Sequence, residues 1–209
     1  MTKEKQLERS LFAIEGVRNN PAMETTLKQV GWLPKETTRG WEQYQETYGL
    51  FAEQKEKLRQ QRQATDELHA AMNMLNEVYH KHLLLARMAV PYQRNVYRTL
   101  ELGGKRQTRR SAWLSQIRNF YRNLPLIEAE LATFGVTADE VAQAEAMVEA
   151  VTAARVRQNE ARSAAQQARI DRDRAHQELE AWTRRFIRTA RFAFADTPQQ
   201  LEALGIIAR

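Results

Sequence analysis

Between Gly49 and Pro91, and again between Gly135 and Pro198, the chain contains neither glycine nor proline. Ala, Leu, Glu, Gln, Arg and Lys dominate both stretches, and these are strong helix formers. No alternation of apolar and polar residues marks a strand. The fold class expected is therefore all-α. Two architectures satisfy each breaker-free stretch. One is a continuous helix, over 35–89 and 137–194, each about 80–85 Å long at 1.5 Å per residue. The other is a helical hairpin with its tip near Arg59–Ala64 and Ser163–Gln167. The first-copy tip holds no Gly, Pro, Asn or Asp, which opposes a turn there. Ala64 and Ala71, like Ala168 and Ala175, lie seven residues apart, and Trp41, Tyr44, Tyr48, Phe51 and Leu58 extend an apolar stripe towards the first pair. The favoured reading is long helices packed antiparallel through alanine-lined middles.

The punctuation repeats. Pro21 falls on Pro125, an offset of 104 positions (125 − 21), and the same offset lays Arg18-Asn19 on Arg122-Asn123, Gly31 on Gly135, Glu36 on Glu140 and Leu75 on Leu179. It also lays Ala86-Arg87-Met88-Ala89 on Ala190-Arg191-Phe192-Ala193, and the apolar Val78 and Val90 on Trp182 and Phe194. The chain thus reads as two tandem helical repeats, residues 1–104 and 105–209, related by pseudo-two-fold symmetry in one joint folded unit. Within each repeat, Pro suits the first turn of a helix and Gly the position just past its end. Pro21 to Gly31 and Pro125 to Gly135 each read as one short helix. Pro34 opens the next helix in one repeat and Thr137 in the other, where Thr137-Ala138-Asp139-Glu140 has capping-box spacing. Trp32, Trp41, Tyr44, Tyr48 and Phe51 are core candidates, as are Trp182, Phe186, Ile187 and Phe194. Burying each contributes about 1.5–3 kcal/mol.

Charge is concentrated in one place. The chain carries 32 Lys and Arg against 26 Asp and Glu, a net charge of +6. From Leu102 to Ile127 there is no acidic residue, while Lys105, Arg106, Arg109, Arg110, Arg118 and Arg122 all fall there. The rest of the chain is close to neutral. Gly103-Gly104 breaks the preceding helix, and Thr108 or Ser111 can cap the next. Trp113, Leu114, Ile117, Phe120, Tyr121 and Leu124 then recur at helical spacing. A connecting segment, 102–122, with arginine forks beside a helix start can hold phosphate, so residues 105–122 are a candidate site for nucleic acid or another polyanion. The plainer alternative is a solvated linker whose arginines pair with glutamates elsewhere.

Leu102-Gly103, the basic cluster with Ser111, Trp113-Leu114, Arg118, Phe120-Tyr121, the paired Ala-Arg-x-Ala segments and Leu204-Gly205-Ile206 together give the chain a likeness. It resembles a group of bacterial all-helical tandem-repeat proteins with no known activity. The resemblance implies the helical fold and adds no site.

Chemistry-bearing motifs are sparse. The chain has no cysteine, which removes disulfides, thiolate metal sites and cysteine nucleophiles. Glu77 and His80 have the Glu-x-x-His spacing used by di-iron bundles, but the repeat counterparts are Ala181 and Arg184. His176 and Glu180 form a further pair at a non-equivalent place. His69, His80, His82 and His176 show no zinc spacing, and no phosphate-binding glycine loop or nucleophile elbow is present. The N-terminus lacks an apolar signal-like run, and the longest apolar run, Leu83-Leu84-Leu85-Ala86, ends at Arg87. The expectation is a cytoplasmic, non-enzymatic scaffold or protein–protein interaction module without cofactor or membrane contact. It acts on a protein partner or on itself, with polyanion binding through 105–122 as the alternative.

Overall fold

Capping chemistry sets where the helices begin and end. In the computed structural model, which describes residues 2–207, Asn20 accepts a hydrogen bond from Met23 N and Pro21 occupies the first turn that follows. After α1 (Lys3–Arg18), that turn opens α2 (Pro21–Gln29). Gly31 at φ +85° closes it: Trp32 N donates to Leu27 O and Gly31 N to Lys28 O, the paired bonds of a Schellman ending. Then α3 runs without interruption over Pro34–Ala89, ending just short of Pro91. A short α4 (Arg94–Thr99) leads to α5 (Arg110–Asn123), a 3-10 turn at Leu124–Ile127, α6 (Glu128–Ala132), α7 (Ala138–Ala193) and a closing 3-10 segment at Pro198–Leu204. Among the described residues there is no strand, and no helix is long and apolar enough to cross a membrane.

The all-helical expectation holds, and both long stretches are continuous: neither Arg59–Ala64 nor Ser163–Gln167 turns back. The capping box also forms, with Thr137 Oγ1 accepting from Glu140 N and the Glu140 carboxylate accepting from Thr137 N. Other expectations need correction. Pro125 to Gly135 is a 3-10 turn followed by a five-residue helix, because α5 runs straight into Leu124 and leaves Pro125 no capped start. Neither Thr108 nor Ser111 caps α5; Arg109 stands at that position without a side-chain bond. Tyr48 and Leu58 are exposed, so the aromatic stripe leaves the core after Tyr44 and returns only partly at Phe51.

The chain divides into two compact units, Met1–Arg59 with Ser163–Arg209 and Gln60–Arg162. Each therefore draws on both halves of the sequence. The first unit packs α1, α2 and the start of α3 against the end of α7. Ile14, Val17, Leu27, Trp32, Trp182, Phe186 and Phe194 are buried there. Trp182 stacks on Phe186 at 5.4 Å, and Trp32 meets both rings edge-on. Trp182 crosses Gly40 so closely that a Cβ there would lie 2.3 Å from its ring, and its indole N–H donates to Glu36 O at 2.8 Å. Along the pair, Glu36 meets Arg185 while Gln54 meets Arg172, so the two helices run antiparallel within this unit. The second unit packs the end of α3, α5 and the start of α7 around Leu75, Tyr79, Leu83, Ile117, Phe120 and Ala144.

Candidate interaction surfaces

The basic segment begins where Glu101 takes a left-handed backbone (φ 50°) and Leu102 turns into the core. Arg106 then folds back over its own loop. Its guanidinium donates to the Tyr79 hydroxyl at 2.8 Å and to Glu101 O at 2.7 Å. Arg110, in the first turn of α5, donates to His69 Nε2 on α3 at 2.7 Å. Arg118, two turns later, reaches α7, where it donates to Thr152 Oγ1 and lies 3.8 Å from the Glu149 carboxylate. Three of the six cations expected to hold an anion are thus committed to three different places in the fold. The side chains of Lys105, Arg109 and Arg122 are exposed and make no hydrogen bond or ion pair among the described residues. Around them, Gln116 is buried and bridges Gln107 N to the Glu101 carboxylate, which also accepts from Asn119.

Beneath this segment lies a polar knot inside the core. His82 is 1% exposed and shares a hydrogen bond with the Tyr121 hydroxyl at 3.2 Å. Burial, with Lys81 adding to it, holds the His82 imidazolium below its ordinary range, and burial likewise pushes the Tyr121 phenol up. Both groups are therefore neutral near pH 7. Glu77 and His80 lie elsewhere on α3, both exposed, and among the described residues no group of three His, Asp or Glu could hold a metal ion.

Two further features were not picked out from the sequence. The first is an apolar ridge: Leu84, Met88 and Tyr92 are 58%, 54% and 93% exposed. Leu84 and Met88 are four residues apart and share one face of α3, and Tyr92 follows in the turn after the helix ends at Ala89. The signal was present in Leu83-Leu84-Leu85-Ala86, since four consecutive apolar residues span a whole helical turn and the core can take only one side of it. Leu83 and Ala86 are buried and Leu84 points away. The second is a cleft of about 170 Å³ where α6 meets the start of α7, walled by Leu124, Leu131, Val136 and Val141 and rimmed by Glu128 and Glu145. In the first unit a cleft is lined by Glu24, Pro34, Thr37, Thr38 and Trp41, each 104 positions before a lining residue of the other. There Arg18 lies over the Trp41 ring at 4.4 Å.

No protein-family model, curated protein or solved structure matches the chain.

Proposed function

We propose that the protein is a non-enzymatic helical scaffold that works through protein–protein contact in the cytoplasm. The observation that carries this reading is the ridge of Leu84, Met88 and Tyr92. Large apolar side chains exposed together on one helix face, as Leu84 and Met88 are, are costly to leave in water, and exposed apolar patches mark contact sites. A photo-crosslinking residue at Met88, with the captured species identified by mass spectrometry, tests it. Capture of one defined partner, lost in Leu84→Lys, is the expected result. Absence of any defined adduct would remove the ridge as a contact site.

The same proposal includes an origin in two tandem copies related by a pseudo-two-fold. It is supported by α3 and α7, whose bounds, 34–89 and 138–193, differ by the sequence offset at both ends. It is supported too by the left-handed residues, since Gly31 pairs with Gly135 and Glu101 with Gly205 at that spacing. Packing adds a size exchange: Gly40 and Trp182 in one unit stand where Ala144 and Val78 stand in the other. The likeness to bacterial tandem-repeat proteins belongs to this proposal.

A second reading, polyanion binding, rests on Lys105, Arg109 and Arg122. These unpaired cations lie in the acid-free stretch that holds the chain's whole charge excess. Heparin retention tests it. Lys105→Glu with Arg109→Glu should elute at clearly lower salt than the parent, because each neutralised phosphate contributes about 0.9 to the log–log salt slope on duplex DNA. Equal elution would reduce the segment to a solvated connection.

A further inference from the structure

The cleft of the second unit has a definite chemistry, and no ion pair within its unit satisfies its rim, although Arg122, the counterpart of Arg18, lines a neighbouring pocket with Glu145. Its walls are aliphatic, and its volume, about 170 Å³, is close to the roughly 150 Å³ at which a dry apolar cavity accepts a benzene ring. The Glu128 and Glu145 side chains are exposed at its rim with no ion-pair partner among the described residues. It therefore suits an aromatic side chain with cations on either side. The first unit shows the same combination within the chain: at the matching cleft, the ring of Trp41 lies under the Arg18 guanidinium beside Glu24. In the second unit the position of Trp41 is taken by Glu145, so the ring has to come from outside.

One exposed aromatic of this chain carries the complementary charge. Phe192, near the end of α7, is 75% exposed. Arg191 adjoins it and Arg188 lies one turn earlier, both exposed and without an acidic partner among the described residues. Asp196, one turn later, leaves the patch net positive. We propose that a second copy of this chain is the occupant: Phe192 of one molecule enters the Leu131–Val136–Val141 cleft of the next, with Arg188 and Arg191 set against Glu128 and Glu145. Cleft and patch are different surfaces, so each contact joins the patch of one molecule to the cleft of another. The proposal deepens the interaction reading by naming a partner, and it uses a surface distinct from the ridge.

Sedimentation velocity of the full-length protein over a concentration series at low salt tests it. The parent should show a weight-average sedimentation coefficient that rises with concentration and falls back as salt is added. Phe192→Ser should stay monomeric. So should Glu128→Arg/Glu145→Arg, whose cleft repels its own patch, and Arg188→Glu/Arg191→Glu, whose patch repels its own cleft. Mixing these last two should restore association, because each supplies the surface the other has lost. That recovery also shows both variants to be folded. A parent that is monomeric throughout overturns the proposal. So does association indifferent to Phe192→Ser, failure of the mixture to associate, or a monomer whose cleft instead binds a phenylalanine–arginine peptide. Leu84→Lys serves as the separating control. If it abolishes cross-linking at position 88 but leaves self-association unchanged, the two surfaces act independently, and either can fail without the other.

Discussion

At the scale of single residues, two glycines on one helix face opposite demands. A Cβ at Gly40 would strike the Trp182 indole, whereas one at Gly49 would meet nothing within 4 Å. Gly40→Ala should therefore destabilise the protein by about 1–3 kcal/mol despite the better helix former, since overpacking outweighs propensity. Gly49→Ala should stabilise it by about 1 kcal/mol. Urea midpoints for the two variants check both signs. Combining Gly40→Ala with Trp182→Val should show strong coupling in a double-mutant cycle, because Ala144 and Val78 already form that combination in the other unit. His82 gives a pH dependence. Its folded-state pKa lies below the ordinary 6.5, so the unfolded chain takes up the proton first. The stability held by neutral His82 is complete above that value and is lost as pH falls from it towards the folded pKa. Denaturation at pH 7.5 and 5.5 should show a smaller drop for His82→Phe/Tyr121→Phe than for the parent. The double change avoids leaving the Tyr121 hydroxyl buried without its partner.

At the scale of elements, the starts of α7 and α5 differ in kind. The first has a reciprocal capping box with Asp139 and Glu140 in its opening turn; the second has Arg109 and Arg110 and no side-chain cap. Thr137→Ala should cost about 1 kcal/mol, seen as a lower urea midpoint. Backbone hydrogen bonding from Thr137, with Lys81 adding to it, holds Glu140 below the ordinary carboxylate value of 4.5. Its contribution is present above that value and disappears as pH falls through the depressed pKa, and Glu140→Gln should flatten this acid limb. Arg109→Asp should do the reverse of Thr137→Ala. An acidic cap suits both the free N–H groups and the helix dipole, so the variant should gain roughly 1 kcal/mol. If the cations are kept for an anion, the more stable variant will also leave heparin earlier.

At the scale of the molecule, neither 1–104 nor 105–209 contains a whole compact unit, because each unit takes its parts from both. Either fragment alone exposes the faces of its long helix that the other would cover. Each should lack the near-UV circular dichroism of packed tryptophans as a monomer, and an equimolar mixture should regain it. A fragment that shows the full signal as a monomer would contradict this division.

What could be read without coordinates were the properties fixed by local chemistry. Missing breakers, with no turn residue at the first-copy tip, favour two uninterrupted helices, Pro21 and Gly31 delimit a third, and Thr137 with Glu140 announces its own cap. These depend on backbone geometry and neighbours a few residues away, which the order of residues states outright. The destinations of the arginines were not of this kind. Lys105 and Arg106 are adjacent and chemically alike, yet one extends into solvent while the other is drawn onto Tyr79 and a loop carbonyl. Tyr48 and Phe51 both suit a core, yet Tyr48 stacks on Tyr44 of its own helix while Phe51 meets His176 and Arg172 on α7. Ion pairing, ring contacts and the shape of a cleft depend on which distant side chains arrive within a few ångströms. Only packing of the two long helices, each shared between both units, decides that.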